Sequence, residues 1–297
     1  MIIQSTRVWI DESFKKAAIE IQDGKITGIY PHGSREGAID YGNNRILPGL
    51  IDVHCHGYHG MTCNEVTKEG MKLWAHDLLQ EGCTSFEATT STAAMEDLDR
   101  SFGILADIMD EGTDGAEILG IHVEGPLISA EFRGAQEISQ LVKPTVEVMT
   151  KWQTLARGKI NYVAIAPEMD DEHQTIKWCK ENNIKVAIGH TGASYDECLQ
   201  ASLDGATSFT HTYNGMRGLH HREPGVVGAA LSLDNMYAEL IGDGVHVHFV
   251  PAKILARAKG KDKLLLITDS VQVKGLPVGK YEKGLSTVEV KEDGCAY

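Results

Sequence analysis

The stretch PGLIDVHCHG, from Pro48 to Gly57, places His54 and His56 two residues apart at the end of an apolar run. In a β-strand, residues two apart project from one face, so both imidazoles point the same way and Cys55 the other. Two imidazoles on one face can grip a metal ion. Taken alone, the pair reads equally well as two hydrogen-bonded strand histidines. What decides is whatever else the chain can bring to the same place. Five more apolar segments carry a polar group of ligand or acid–base type: Glu124 in GIHVEGPLIS, His190 in GHTGASYDE, His211 in FTHTYNGM, His246 in DGVHVH and Asp269 in LITDS. Neutral imidazole and carboxylate donors suit Zn²⁺ or Fe²⁺.

The elements that must position these groups follow from hydrophobic pattern. Apolar strand candidates lie at 46–56, 84–92, 116–125, 159–168, 185–192, 205–214, 238–247 and 263–270. Helical patterns fall between most of them, at 67–81, 95–111, 144–156, 170–182, 194–203 and 251–259. This alternation favours a (β/α)₈ barrel, with an open doubly wound sheet as the alternative. Barrel active sites lie at the C-terminal strand ends. The seven polar groups are expected there, on six strands converging at one rim. A single strand-end His or Asp is often only a loop cap, but seven in corresponding places are hard to explain that way. His122, two residues before Glu124, is expected one layer deeper as a packed or hydrogen-bonded interior histidine. Residues 1–45 read differently: RVWI, AAIEIQ and KITGIY are strand-like, and QDGK is a hairpin turn signal.

The chain has 297 residues, enough for one large α/β domain with a small appendage. A hydrophobic share of 42% supports a substantial core. The net charge of −14 argues against a nucleic-acid or anionic-membrane surface. No apolar run is long enough to span a bilayer, and MIIQSTRVWIDE lacks the features of a signal peptide. Cys55, Cys63, Cys83, Cys179, Cys198 and Cys295 are scattered and read as reduced thiols of a cytoplasmic protein. In so acidic a chain, an anionic ligand needs a local basic pocket. MRGLHHREPG supplies Arg217, His220, His221 and Arg222 with no acid among them. Seen alone this is a solvated loop; its place just after the sixth barrel strand favours a phosphate.

At these segments, together with HHREPGVVGAAL, the chain strongly resembles the amidohydrolase superfamily, and within it the N-acetylglucosamine-6-phosphate deacetylase family. HCH alone indicates only the superfamily; HVEGP, HREPG and ITDS in combination are far more specific. The resemblance covers nearly the whole chain. It implies an α/β fold, a TIM-like (β/α)₈ metal-dependent hydrolase barrel over 46–297 beside a small N-terminal β-sandwich segment over 1–45. It also implies that the C-terminal part is missing, because relatives continue past the eighth strand and return to complete the sandwich.

The resemblance further implies roles. Glu124, His190 and His211 would hold the principal metal. His54 and His56 would hold a second, with Glu124 bridging and Asp269 nearby, giving one or two Zn or Fe ions per subunit. Asp269 would be the general base, and His246 would stabilise the oxyanion on the acetyl carbonyl. Arg222 would grip the 6-phosphate, assisted by backbone groups at Asn214 and Gly215, while Ala135 and Gln136 would meet the sugar. Gln136 stands where many relatives carry His, and can still donate to a sugar hydroxyl. A homodimer is implied, since in relatives this arginine can reach across the interface. The implied reaction converts N-acetylglucosamine 6-phosphate and water to glucosamine 6-phosphate and acetate, in amino-sugar catabolism. The alternatives are N-acetylgalactosamine 6-phosphate, another amide such as an N-acyl amino acid, or an inactive truncated metal-binding barrel.

Overall fold

A computed structural model describes residues 1–283, 286–292 and 296. They fall into two compact units, Met1–Leu50 and Ile51–Tyr297. The first is a single five-stranded sheet. β1 (Ile2–Ile10), β2 (Ser13–Gln22) and β3 (Lys25–Pro31) form an antiparallel meander, and the short β4 (Ile39–Asp40) and β5 (Arg45–Ile46) pair in parallel with β1. The β2–β3 turn has Asp23 at φ 50° and Gly24 at φ 73°, the left-handed pair that a tight hairpin requires. Val8, Ala17 and Ile19 form its small apolar cluster. Where a sandwich segment is expected over 1–45, the described residues form this one small sheet.

The second unit is the barrel. Its strands are β6 (Leu50–Cys55), β9 (Cys83–Thr90), β10 (Glu117–Glu124), β11 (Ile160–Ile165), β12 (Lys185–Ile188), β13 (Ala206–Phe209), β14 (Tyr237–Ile241) and β15 (Leu264–Ile267), parallel and in sequence order. A short hairpin, β7 (Gly57–Tyr58) with β8 (Met61–Thr62), follows β6, and β16 (Gly279–Lys283) pairs with β17 (Ser286–Val290) after β15. The ladder nearly closes between β6 and β15. There the Asp269 N–H donates to the His54 carbonyl at 2.9 Å, and the His56 N–H donates to that of Ser270 at 2.7 Å. Thr268 Oγ1 donates to Asp52 Oδ2 at 2.5 Å. Asp52 is therefore a seam residue.

Among the described residues, seven helices cover the barrel: α1 (Lys68–Gln80), α2 (Met95–Glu111), α3 (Val146–Leu155), α4 (Gln174–Glu181), α5 (Tyr195–Asp204), α6 (Gly225–Ser232) and α7 (Phe249–Lys263). Thr67 and Thr145 cap the first turns of α1 and α3, and Ser194 with Glu197 makes a capping box on α5. Trp74 of α1 packs on Phe86 of β9, and Phe102 of α2 on Trp152 of α3, all four fully buried. The hydrophobic pattern does not reveal α6. Its sequence GVVGAALS is buried nearly all round, so no polar face marks a helical period. The 170–182 pattern begins as 3₁₀ turns; left-handed Glu172 and His173 delay α4 to Gln174. Five cysteines are buried free thiols, and Cys295 lies outside the described residues. No helix among the described residues is long and apolar enough to cross a membrane.

Glu87 on β9 is an unexpected interior acid. Its Oε1 accepts from Asn161 Nδ2 at 3.0 Å, Oε2 has no partner among the described residues, and burial pushes its carboxyl up to about 7. The folded value lies above the ordinary 4.5. The contribution of the neutral acid is therefore fully present below about pH 4.5 and is lost as pH rises through 7. Glu87→Gln should raise Tm at pH 8 by relieving up to roughly 3 kcal/mol. The gain should shrink as pH falls towards 5. Thermal melts at the two pH values check this; an equal gain at both would refute the ionisation account.

Candidate active site

Six of the seven expected groups meet at the C-terminal end of the barrel. His54 lies inside β6, His56 one residue past it, and Glu124 is the last residue of β10. His190, His211 and Asp269 each sit two residues past the ends of β12, β13 and β15. These last three have positive φ, at 46°, 26° and 50°. Side-chain-bearing residues adopt that region at a cost of about 1–3 kcal/mol each, and such residues cluster at functional sites. The turn of the chain there lets the strand end aim its side chain over the barrel mouth.

Glu124 is the hub. Its Oε1 lies 3.0 Å from His190 Nε2 and 2.9 Å from His211 Nε2, and its Oε2 lies 3.2 Å from His56 Nε2. His54 Nε2 is 3.5 Å from Oε1. Asp269 Oδ1 completes the other side, 3.3 Å from His56 Nε2 and 3.6 Å from His54 Nε2. Two three-residue groups result, His54–His56–Asp269 and Glu124–His190–His211, each with donor atoms close enough to share an ion. Glu124, through its second oxygen, touches both.

The ring orientations are fixed from behind. His190 Nδ1 lies 2.8 Å from the Phe132 carbonyl and His211 Nδ1 3.1 Å from that of Asn214. His54 Nδ1 lies 2.9 Å from Glu239 Oε2. Each acceptor requires a proton on Nδ1, so each Nε2 turns its lone pair to the centre. Two such nitrogens are 3.1 Å apart in the His190–His211 pair, and His54 Nε2 lies at the same distance from His56 Nε2. Facing lone pairs at that distance need a cation between them. The donor set therefore fits a divalent metal, with imidazole and carboxylate donors as Zn²⁺ or Fe²⁺ prefer.

Electrostatics agree with this. Burial opposes charge on Glu124, yet the His190 and His54 rings and its hydrogen bonds hold it well below the usual carboxylate range. Burial likewise opposes ionised Asp269, and His54 and His56 outweigh it, lowering that carboxyl. Conversely, burial disfavours charge on His54, His56 and His211, but the facing carboxylates raise all three. Without an ion, protons supply the positive charge that the carboxylates demand. His122 is different: burial and the neighbouring His54 push it well down, and its Nδ1 lies 3.1 Å from the Val53 carbonyl, as an interior residue.

The remaining expected residues are placed as follows. Gln136 is drawn into the cluster: its Nε2 donates to Glu124 Oε2 at 3.1 Å, and its Oε1 accepts from Thr92. Ala135 is exposed beside it. His246 lies five residues past β14, exposed, with Nδ1 2.6 Å from Asp243 Oδ2. Neither ligand group includes it among the described residues. The Asn214 N–H donates to the His211 carbonyl, and the Gly215 carbonyl accepts from Thr191. Arg217 pairs with Glu223. Arg222 is exposed, and no carboxylate among the described residues pairs with it. Two acids escaped the sequence reading: Glu239, behind His54, and Glu168, which accepts from Thr191 Oγ1 and the Gly192 N–H. For Glu239 one signal existed, a lone carboxylate inside the apolar strand YAELI.

Since metal must displace protons from the raised imidazoles, affinity should fall as pH is lowered. Titration calorimetry with Zn²⁺ in two buffers of different ionisation enthalpy should show release of roughly one proton or more per ion at pH 7. Heats independent of buffer would contradict this. His190→Ala and His211→Ala should each lose bound metal.

Residues 45–289 match the model of the amidohydrolase family. The chain is 38% identical to the N-acetylglucosamine-6-phosphate deacetylase of Lysinibacillus sphaericus over 277 residues, 93% of this chain and 72% of that protein. It is also 38% identical to the Bacillus subtilis (strain 168) enzyme of the same name, over 95% of this chain and 73% of that one. A solved structure of a mutant Mycobacterium smegmatis N-acetyl-D-glucosamine-6-phosphate deacetylase, in complex with N-acetyl-D-glucosamine-6-phosphate, superposes with a TM-score of 0.90 at 28% identity. The match covers 98% of this chain and 76% of that one. Together with the eight parallel strands, these matches show that the chain belongs to the amidohydrolase family, in the group formed by the N-acetylglucosamine-6-phosphate deacetylases.

Proposed function

We propose that this chain hydrolyses the acetamide of N-acetylglucosamine 6-phosphate, releasing acetate and glucosamine 6-phosphate, in amino-sugar catabolism. One observation carries the reading: Glu124 shared between two histidine groups, with Asp269 against one of them. Relatives with this name at 38% identity support the substrate. Glu124, His190 and His211 would hold one ion, and His54, His56 and Asp269 a second. A divalent metal there supplies Lewis acidity towards the amide carbonyl and brings the pKa of water towards neutrality.

The chain's own residues do the rest. Asp269, ionised among imidazoles, takes a proton from the attacking water and passes it to the departing amine nitrogen. His246 hydrogen-bonds the acetyl oxygen as negative charge develops, its ring held from the Nδ1 side by the Asp243 carboxylate. Gln136, with Ala135 beside it, meets the sugar from the Glu124 side. Arg222 and backbone groups at Asn214 and Gly215 take the phosphate, the guanidinium being suited to bidentate contact. The reading includes a homodimer, with Arg222 near the partner subunit, and a cytoplasmic location, supported by the five buried free thiols.

Asp269→Asn should retain much of the Glu124–His190–His211 ion while kcat falls about 10²–10⁴-fold. Metal analysis and steady-state kinetics on one sample check this, and a near-wild-type kcat would remove Asp269 as the base. Arg222→Ala should lose a charged contact worth roughly 1.5–3 kcal/mol. That is about a 10- to 150-fold fall in kcat/KM for the phosphorylated sugar, mostly in KM. Unphosphorylated N-acetylglucosamine should be a poor substrate and little affected by the change. Equal losses on both sugars would exclude a phosphate clamp.

A further inference from the structure

Glu239 lies in the middle of β14 with no exposed surface. An ionisable side chain so placed is costly unless its oxygens are occupied. Here both are. Oε2 faces His54 Nδ1 at 2.9 Å and accepts the His211 N–H at 3.1 Å. Oε1 accepts from Tyr162 Oη at 2.6 Å, and Tyr162 Oη lies 2.8 Å from Ser208 Oγ. One oxygen therefore grips a side chain from one ligand group and the backbone of a residue from the other. None of the chemistry assigned above uses this acid.

We infer that Glu239 is a positioning residue: it holds His54 with the proton on Nδ1 and Nε2 turned to the ion, and so sets the affinity of the His54–His56–Asp269 position. The inference rests on the metal-dependent reading. The other ligand histidines whose Nδ1 is fixed use neutral carbonyls, of Phe132 and Asn214. His54 alone has a carboxylate behind it. A carboxylate acceptor makes an imidazole a stronger donor to a metal, and loss of such a partner costs typically 10–100-fold in affinity. His56, its neighbour in the group, has no partner on Nδ1 among the described residues. Within this pair only His54 is held through Nδ1 by a side chain among the described residues, and that side chain is Glu239.

The test uses the full chain as wild type, Glu239→Gln and Glu239→Ala, with Zn²⁺ as the probe. Gln keeps an oxygen for His54 and the His211 N–H, while Tyr162 can turn its proton to Ser208, so this variant should fold. Competition titration against a chelating dye reads the two equivalents of Zn²⁺ separately. The second, weaker equivalent should bind about 10-fold less tightly in Glu239→Gln and up to about 100-fold less tightly in Glu239→Ala. The first should change less than about 3-fold. A second readout is the low-field proton NMR signal of His54 Nδ1–H, assigned by its loss in His54→Ala. It should shift upfield in Glu239→Gln and vanish in Glu239→Ala. Should Ala prevent folding, the Gln variant alone decides. An unchanged second equivalent, equal weakening of both, or an unmoved His54 signal in Glu239→Gln overturns the inference. If wild type takes up no Zn²⁺, the metal-dependent reading fails, and the NMR signal still judges the contact.

Discussion

Burial of the Glu124 carboxylate among imidazoles sets the conditions for everything around it. An ionised acid removed from water demands compensating charge at short range. His190 and His211 meet one of its oxygens and His56 the other. Because these residues come from four different strands or strand ends, the demand can be met only when the barrel is assembled. Charge compensation and fold closure are thus one constraint. The same constraint makes the cluster fit a divalent cation, since nitrogens facing each other at 3.1 Å share one positive centre readily and two protons poorly.

The scaffold is built to hold that arrangement against strain. His190, His211 and Asp269 depart from the strand conformation into the left-handed region. The carbonyls of Phe132 and Asn214 and the N–H of Asp269 tie these departures down. Below them, apolar packing of helices on strands supplies the stability that local strain consumes. The interior of the barrel is itself polar in places, with Glu239, Tyr162, Ser208, His54 and His122 in mutual contact. Such a network rigidifies when its members are satisfied.

Much of the architecture was legible from pattern, and where it was not the cause is specific. The strand–helix alternation, the Asp23–Gly24 hairpin and the interior place of His122 all follow from local rules. α6 did not, because a helix buried on every side carries no periodic polar face. His246 shows the limit of reading strand ends from sequence. The apolar run continues to Val247, but the ladder stops at Ile241, where Asp243 begins to bond the N–H groups of Val245 and His246.

The sequence by itself determined the chemistry available: two histidines at alternate strand positions, an acid and two histidines on later strands, a last acid, and their order along a β/α repeat. Residue type and short-range spacing carry that information, and the barrel's geometry converts order into convergence. Tertiary structure alone decided how the groups are held. Glu239 and His54 are 185 positions apart, so no local period relates them. Gln136 reaches Glu124 from a loop whose path no strand or helix signal describes. The left-handed turns at His190, His211 and Asp269 leave the strand conformation at residue types that tolerate that region better than most, and long-range contacts hold them there.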